Sequence, residues 1–194
     1  PLDRVIILSS LLRLDLVASA PRLAGADVEM VSMLTRERLL QRALEPVLDR
    51  YDHVILDCPP SLSLLTVNAL TCARSGVIIP IQCEYLPLEG LGRLTHTVSL
   101  VREHLNPDLR IFGIVMTMFD TRTNLAHDVV ADVRQHFPNE IFDSIIPRNV
   151  RLSEAPSYGQ PVLVYAPGSP GALAYQALAS EVLAREARSN GKAR

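Results

Sequence analysis

Val77-Ile78-Ile79-Pro80-Ile81 is apolar at every position, and Ile111-Phe112-Gly113-Ile114-Val115-Met116-Thr117-Met118 is nearly so. A strand with one wet face alternates apolar and polar residues, whereas a strand covered on both faces by helices does not. Both runs therefore read as buried parallel strands. Between them Leu91, Leu94, Val98, Val101 and Leu105 recur at spacings of three and four, the period of a helix with one apolar face. Downstream, Asn124 opens a helix predicted to bury Leu125, Val129, Val133 and Phe137, and Ile141 to Ile146 is a further strand stopped by Pro147. A last helix is predicted from about Ser169 to Ala187, with Pro170 in its first turn and Ala174, Leu178 and Val182 inward. A flexible tail, 189–194, is expected after it.

Upstream the same alternation holds. Val5–Leu8 and Leu14–Val17 are brief apolar runs, and a helix is predicted from about Ala26 to Leu48, broken in its last turn by Pro46. His53-Val54-Ile55-Leu56-Asp57 reads as a strand stopped by Cys58-Pro59-Pro60. Ser61 is placed to cap a helix burying Leu65, Ala69 and Ala73, and Gly76 ends it. Strand–helix alternation with continuous apolar strands predicts an α/β fold with a doubly wound, mostly parallel sheet, one domain over residues 1–188. Ligands of such sheets sit beyond the carboxyl ends of the strands. That selects Asp57-Cys58-Pro59-Pro60, Gln82-Cys83-Glu84, Met118-Phe119-Asp120 and Pro147-Arg148-Asn149.

Composition bounds the function. The chain has 194 residues, 48% hydrophobic and 21% charged, enough to bury a core. Its net charge of −2 does not announce a nucleic-acid binder, although a local patch could sit within it. Lys192 is the sole lysine among 19 basic residues. Cys58, Cys72 and Cys83 have no C-x-x-C spacing, which fits reduced thiols better than a disulfide framework. No run approaches the length of a membrane span. Pro1-Leu2-Asp3-Arg4 is neither a secretory leader nor a start, so the chain is expected to be a trimmed product or a fragment.

Four apolar-leaning residues followed by Asp57 make the pattern of a Walker B strand, whose carboxylate holds Mg²⁺ through water against nucleotide phosphates. Taken alone, the pattern is better read as a strand that merely ends in a turn. Pro59 and Pro60 stiffen the backbone at that point. Cys58 as a phosphatase nucleophile would want Arg six positions on, where Leu64 stands, so a small buried thiol is the better reading. The five histidines show no metal-binding spacing, and no G-x-G-x-x-G supports a dehydrogenase or flavodoxin-like domain.

Several longer strings then point one way. Asp57-Cys58-Pro59-Pro60-Ser61, Leu64-Leu65-Thr66-Val67-Asn68-Ala69-Leu70 and Pro80-Ile81-Gln82-Cys83-Glu84-Tyr85 resemble the ParA (Soj) chromosome- and plasmid-partitioning ATPases. So do Met116-Thr117-Met118-Phe119-Asp120 with Arg122-Thr123-Asn124-Leu125, and Ile146 to Pro156, and Tyr165-Ala166-Pro167-Gly168-Ser169. The resemblance runs from about Leu14 to Arg185. It implies a deviant-Walker P-loop NTPase fold, ATP and Mg²⁺ as cofactors, a homodimer that binds DNA without sequence preference, hydrolysis stimulated by a ParB-type partner, and a cytoplasmic, nucleoid-associated protein with no membrane. It also implies that Asp57 is catalytic and holds the metal, that Cys58, Pro59 and Pro60 belong to the switch after it, that Met118, Pro147, Arg148 and Asn149 serve nucleotide binding, and that Arg122 and Arg151 face DNA.

The sequence departs from the family at one place. The glycine-rich loop with its lysines is not found, and Lys192 stands in Asn190-Gly191-Lys192 without the matching upstream glycine. Arginine does not replace a lysine in a compact phosphate cradle. The expectation is a ParA-like chain without its first strands, inactive alone and prone to self-association through uncovered strand edges. The alternative is a shortened, non-catalytic relative that binds DNA or protein.

Overall fold

The structure, a computed structural model, describes residues 1–9, 11–59, 61–84 and 87–191. In chain order its elements are β1 (Ile7–Leu8), β2 (Asp15–Leu16), α1 (Leu23–Met30), α2 (Leu39–Leu44), α3 (Leu64–Cys72), β3 (Val77–Gln82), α4 (Pro87–His104), β4 (Ile111–Phe119), α5 (Asn124–His136), β5 (Ile141–Pro147), α6 (Val150–Glu154), α7 (Val162–Tyr165) and α8 (Pro170–Gly191). Short 3₁₀ segments occupy Arg36–Arg38, Glu45–Arg50 and Ala155–Tyr158. The chain divides into two compact units, Pro1–Arg74 with Leu94–Leu109, and Ser75–Arg93 with Arg110–Arg194.

The second unit is the α/β body. β3, β4 and β5 form a parallel sheet in that order, with Ile79 beside Ile114, Ile81 beside Met116, and Phe119 beside Pro147. β4 lies between two neighbours, and Phe112 through Met116 are all buried, as continuous apolar character requires. β3 pairs only with β4 among the described residues, and it alternates, with Ile79 and Ile81 buried and Ile78, Pro80 and Gln82 exposed. An edge position tolerates Pro80, which has no N–H to give a second neighbour. Phe112, Val115, Phe142 and Ile146 make the core, with Leu152, Ala174, Leu178 and Val182 packed on it. Gly113 is required there, because a Cβ would collide with the Phe142 ring. Arg185 then fastens α8 to the sheet. Its guanidinium donates to the carbonyls of Phe112, Glu140 and Ile141, pairs with Glu181 at 3.1 Å, and lies 4.0 Å over the Phe142 ring.

The first unit is built on α3. Buried Asn68 has its carboxamide fully used: Nδ2 donates to the Arg36 and Leu64 carbonyls, and Oδ1 accepts from Leu40 N. Asn106 Nδ2 satisfies the Leu70 and Ala73 carbonyls at the other end of α3. β1 and β2 form a small antiparallel pair, outside the parallel sheet. Leu8, Leu12, Leu34 and Ile55 are each at least 80% exposed.

Several expectations are corrected. His53–Asp57 is not a strand: no described strand forms a ladder with it, and a strand exists only by such pairing. The single helix over 26–48 is two, because the chain leaves the helical path after Met30 and Thr35 takes a left-handed turn (φ +54°). Pro46 does interrupt it, in the first turn of the 3₁₀ segment Glu45–Arg50. Ser63, not Ser61, stands at the start of α3, and the Ser61 carbonyl instead accepts from the Thr66 hydroxyl. In α5 the buried side is Ala126, Val129, Val130 and Val133, while Leu125 is exposed. Gly191 rather than Ala187 ends α8, so 189–191 are helical, and Lys192, with the rest of the tail, lies outside the described residues.

Candidate functional site

The carboxyl ends of β3, β4 and β5 meet in the second unit. β4 ends abruptly because Met118 adopts φ +55°, a left-handed conformation costly for a residue with a long side chain. The turn this makes lets the Phe119 carbonyl accept from Arg148 N at 2.9 Å, which ties the end of β4 to the end of β5. The Phe119 ring meets the edge of His127 on α5 at 5.0 Å.

Asp120 follows, and its carboxylate organises the loop before α5. It accepts from Arg122 N at 3.0 Å, Nε at 2.9 Å and Nη2 at 2.7 Å. The Arg122 side-chain hydrogen bonds, then its backbone N–H, hold the Asp120 carboxyl well below the usual carboxylate range, while the guanidinium is pulled up in turn. Arg122 remains 83% exposed whereas the Asp120 side chain is only 20% exposed, so a largely covered carboxylate holds a guanidinium that faces water.

Arg148 reaches the other neighbour. Its Nη2 lies 2.8 Å from Glu84 Oε1, joining the loop after β5 to the loop after β3. Asn149 caps α6, its Oδ1 accepting from Arg151 N at 2.9 Å. Arg151 Nη1 pairs with Glu154 Oε2 at 2.8 Å, one helical turn on, which raises the guanidinium pKa. Tyr165 OH donates to that same Oε2 at 3.2 Å, and its ring stacks on Tyr158, with centroids 5.0 Å apart and planes 21° from parallel. Tyr158 is 66% exposed.

The structure thus brings Met118, Arg122, Pro147, Arg148, Asn149 and Arg151 to the two strand ends of one unit and the helix that follows. Asp57, Cys58 and Pro59 belong to the first unit, on an exposed segment with no regular structure. Pro60 and Tyr85 lie outside the described residues. Cys58 is exposed, which corrects its reading as a buried thiol; its pKa is raised by partial desolvation and by the Asp57 carboxylate. Burial pushes Cys72 and Cys83 up to about 11, which leaves both thiols protonated and inert at neutral pH. A cavity of about 250 Å³ in the first unit, beside the end of α3, is lined by none of the residues selected from sequence.

Sequence reading passed over Glu84 as Arg148's partner, and no local pattern could link residues 64 positions apart. The i,i+3 spacing of Arg151 and Glu154 was a usable signal for their pair. Nothing local marks Tyr165 as a partner of Glu154, or Tyr158 as stacked on it. Among the described residues no cluster of His, Cys, Asp or Glu could hold a metal by itself. No described helix is long and apolar enough to cross a membrane.

Residues 1–111 match the family described as AAA domain. The chain is 50% identical over 186 residues to the chromosome partitioning protein ParA of Myxococcus xanthus, covering 96% of this chain and 65% of that protein. It is 53% identical over 171 residues to the sporulation initiation inhibitor protein Soj of Bacillus subtilis, covering 88% of this chain and 67% of that protein. The chain therefore spans about two thirds of the length of these curated relatives. Among solved structures, cobyrinic acid a,c-diamide synthase of Mycobacterium smegmatis with bound ADP and magnesium superposes with a TM-score of 0.77 at 34% identity, covering 93% of this chain and 66% of that one.

Proposed function

Because the chain belongs to the ParA/Soj family of chromosome-partitioning ATPases, we propose that it is part of the machinery that segregates chromosomes or plasmids. In this reading it works as an ATP-dependent homodimer that binds DNA without sequence preference, on the nucleoid in the cytoplasm, and a ParB-type partner stimulates hydrolysis. The observation that carries the reading is the 50% identity that extends through 186 residues, rather than any single motif.

Each site residue has a role in it. Arg122 and Arg151 contact DNA phosphates, which suits binding without base readout. Met118, Pro147, Arg148 and Asn149 form the nucleotide side of the sheet end. Asp57, with Cys58 to Ser61 as the switch after it, supplies the carboxylate for Mg²⁺. Its chemistry fits only in part: Mg²⁺ binds through one or two carboxylates plus water and phosphate oxygens, so a lone exposed Asp57 suits a metal that arrives with a nucleotide. When bound, Mg²⁺ would neutralise charge on the phosphates; the cationic cradle for those phosphates is a separate requirement, and Lys192 is the chain's sole lysine. These 194 residues by themselves are accordingly proposed to turn over no ATP.

Two measurements test the reading. Mg-ATP turnover by the 194-residue chain should not exceed a buffer control, and clear turnover would remove the claim of inactivity. Duplex DNA binding should be followed across a salt series with Mg-ATP present. Arg122→Ala and Arg151→Ala should each weaken all sequences alike and reduce the salt slope by about one unit per lost phosphate contact, doubled in a dimer. Unchanged affinity and slope in both variants would defeat the DNA assignment.

A further inference from the structure

Both arginines assigned to DNA are already occupied. Arg122 is gripped by Asp120 through its Nε, Nη2 and backbone N–H. Arg151 is held by Glu154, whose Oε2 also receives the Tyr165 hydroxyl. The two devices are built differently, one within a three-residue loop and one along a helical turn, yet each sets a carboxylate at 2.7–2.8 Å from the guanidinium. A phosphate oxygen seeks the same N–H groups with the same geometry.

We propose that Asp120 and Glu154 are internal anions that compete with the DNA backbone for Arg122 and Arg151, and that Tyr165 is a positioning residue that keeps Glu154 in place. This rests on the DNA reading above and adds the residues that set its strength. Binding then means exchanging one anion for another at each arginine. The displaced carboxylate stays close to the incoming phosphates and recruits a cation, so fewer counterions are released than two free arginines would release. The chain is thereby kept from gripping polyanions tightly, which suits a surface that must let go.

The substitutions that test this preserve shape. Glu154→Gln and Asp120→Asn remove the charge and keep an oxygen, so Asp120→Asn still offers an acceptor to Arg122 N. The assay is fluorescence anisotropy with a labelled random-sequence duplex, the 194-residue chain, and a potassium chloride series with and without Mg-ATP. Thermal melts by circular dichroism check folding. Each neutralised variant should bind about two- to fivefold tighter at low salt, the range an exposed ion pair supports. The gain should shrink as salt rises, and the salt slope should steepen by up to about one unit per site. Tyr165→Phe should move affinity in the same direction by less.

The deciding measurement is a double-mutant cycle. Glu154→Gln should lose its gain in an Arg151→Ala background, and Asp120→Asn should lose its own with Arg122→Ala. A gain that persists without the arginine would mean a general charge effect and would overturn the inference. So would Glu154→Gln and Asp120→Asn variants that fold normally and bind no tighter while Arg151→Ala and Arg122→Ala bind more weakly; in that case the DNA reading stands and the competition does not. If the arginine variants are silent and the neutralised variants are too, both readings fall together.

Discussion

Two stretches of this chain look alike and fold differently. Val54-Ile55-Leu56 and Val77-Ile78-Ile79 are both apolar triplets rich in β-branched residues. The second is in a strand beside β4, with Ile79 5% exposed. The first has no strand partner among the described residues and no regular structure, and Ile55 is 91% exposed. β-Propensity and hydrophobicity are properties of a residue, but strand formation is a property of a pair. Backbone groups released from water have to find partners, and Ile79 is buried because Ile114 lies alongside.

The largest test of that contrast compares a core residue with its unpaired counterpart. Phe142 on β5 is fully buried against Gly113 and Phe112, so Phe142→Ala should cost about 3–5 kcal/mol, transfer plus cavity, read from urea unfolding followed by circular dichroism. Ile55→Ser should change stability by no more than about 0.5 kcal/mol, since it uncovers nothing. Exposed Leu8, Leu12, Leu34 and Ile55 should instead drive self-association, so changing all four to Ser should lower the sedimenting mass without lowering the urea midpoint. An Ile55→Ser cost comparable to that of Phe142→Ala would mean that this segment is buried in solution and the contrast is false.

Legibility followed the same line. β3, β4, β5, α5 and α8 were readable because each carries its own signal: a continuous apolar run, or a periodic face between a cap and a breaker. The turn at Thr35 was not, because a left-handed threonine has no composition cue, and propensity alone favours one long helix. At the candidate site, the strand ends were visible as residues beyond apolar runs, whereas Arg122 and Arg151 were marked only by the strings that resemble the family. The partners that neutralise them were visible only where they lie close in sequence. The partnerships of Glu84 and Tyr165 depend on the registers of β3 and β5 against β4 and on where α7 packs, and neither is written locally. Asp57 is the reverse case: its motif is plain in sequence, but the strand meant to present it lacks the pairing that would make it one.

A middle-sized effect sharpens the comparison from the side of the first unit. Its exposed leucines do not make it featureless, because Asn68 is 2% exposed with three hydrogen bonds that join the 3₁₀ segment Arg36–Arg38 and α2 to α3. Asn68→Ala takes the side-chain partner from the Leu40 amide and the Arg36 carbonyl in a part-buried site and should cost about 1–3 kcal/mol. Asn68→Asp should cost at least as much, since it replaces the two donors with acceptors facing carbonyls. Hydrogen exchange at Leu40 N should speed up in Asn68→Ala, which removes its acceptor. Unchanged exchange there would show that α2 is held by packing alone.

The smallest expected effect lies in the second unit, where Glu181 on α8 accepts from the amides of Asp143 and Ser144 at 3.0 Å each and pairs with Arg185. Burial pushes the Glu181 carboxyl up, but the two amides and the guanidinium outweigh it, and its pKa falls below the ordinary 4.5. A carboxyl depressed in the folded state binds protons less readily there than in the unfolded chain. Its contribution is therefore fully present above about pH 5.5, begins to fall as the unfolded chain takes up protons near 4.5, and is gone below the folded value. Glu181→Gln should lower the melting temperature slightly at pH 7, because one side-chain oxygen still accepts but the charge is lost. The gap between the two proteins should narrow steadily from pH 5.5 to pH 3. A gap that stays constant across that range would mean that Glu181 acts through shape and packing, and that α8 is fastened by Arg185 and its three carbonyls alone.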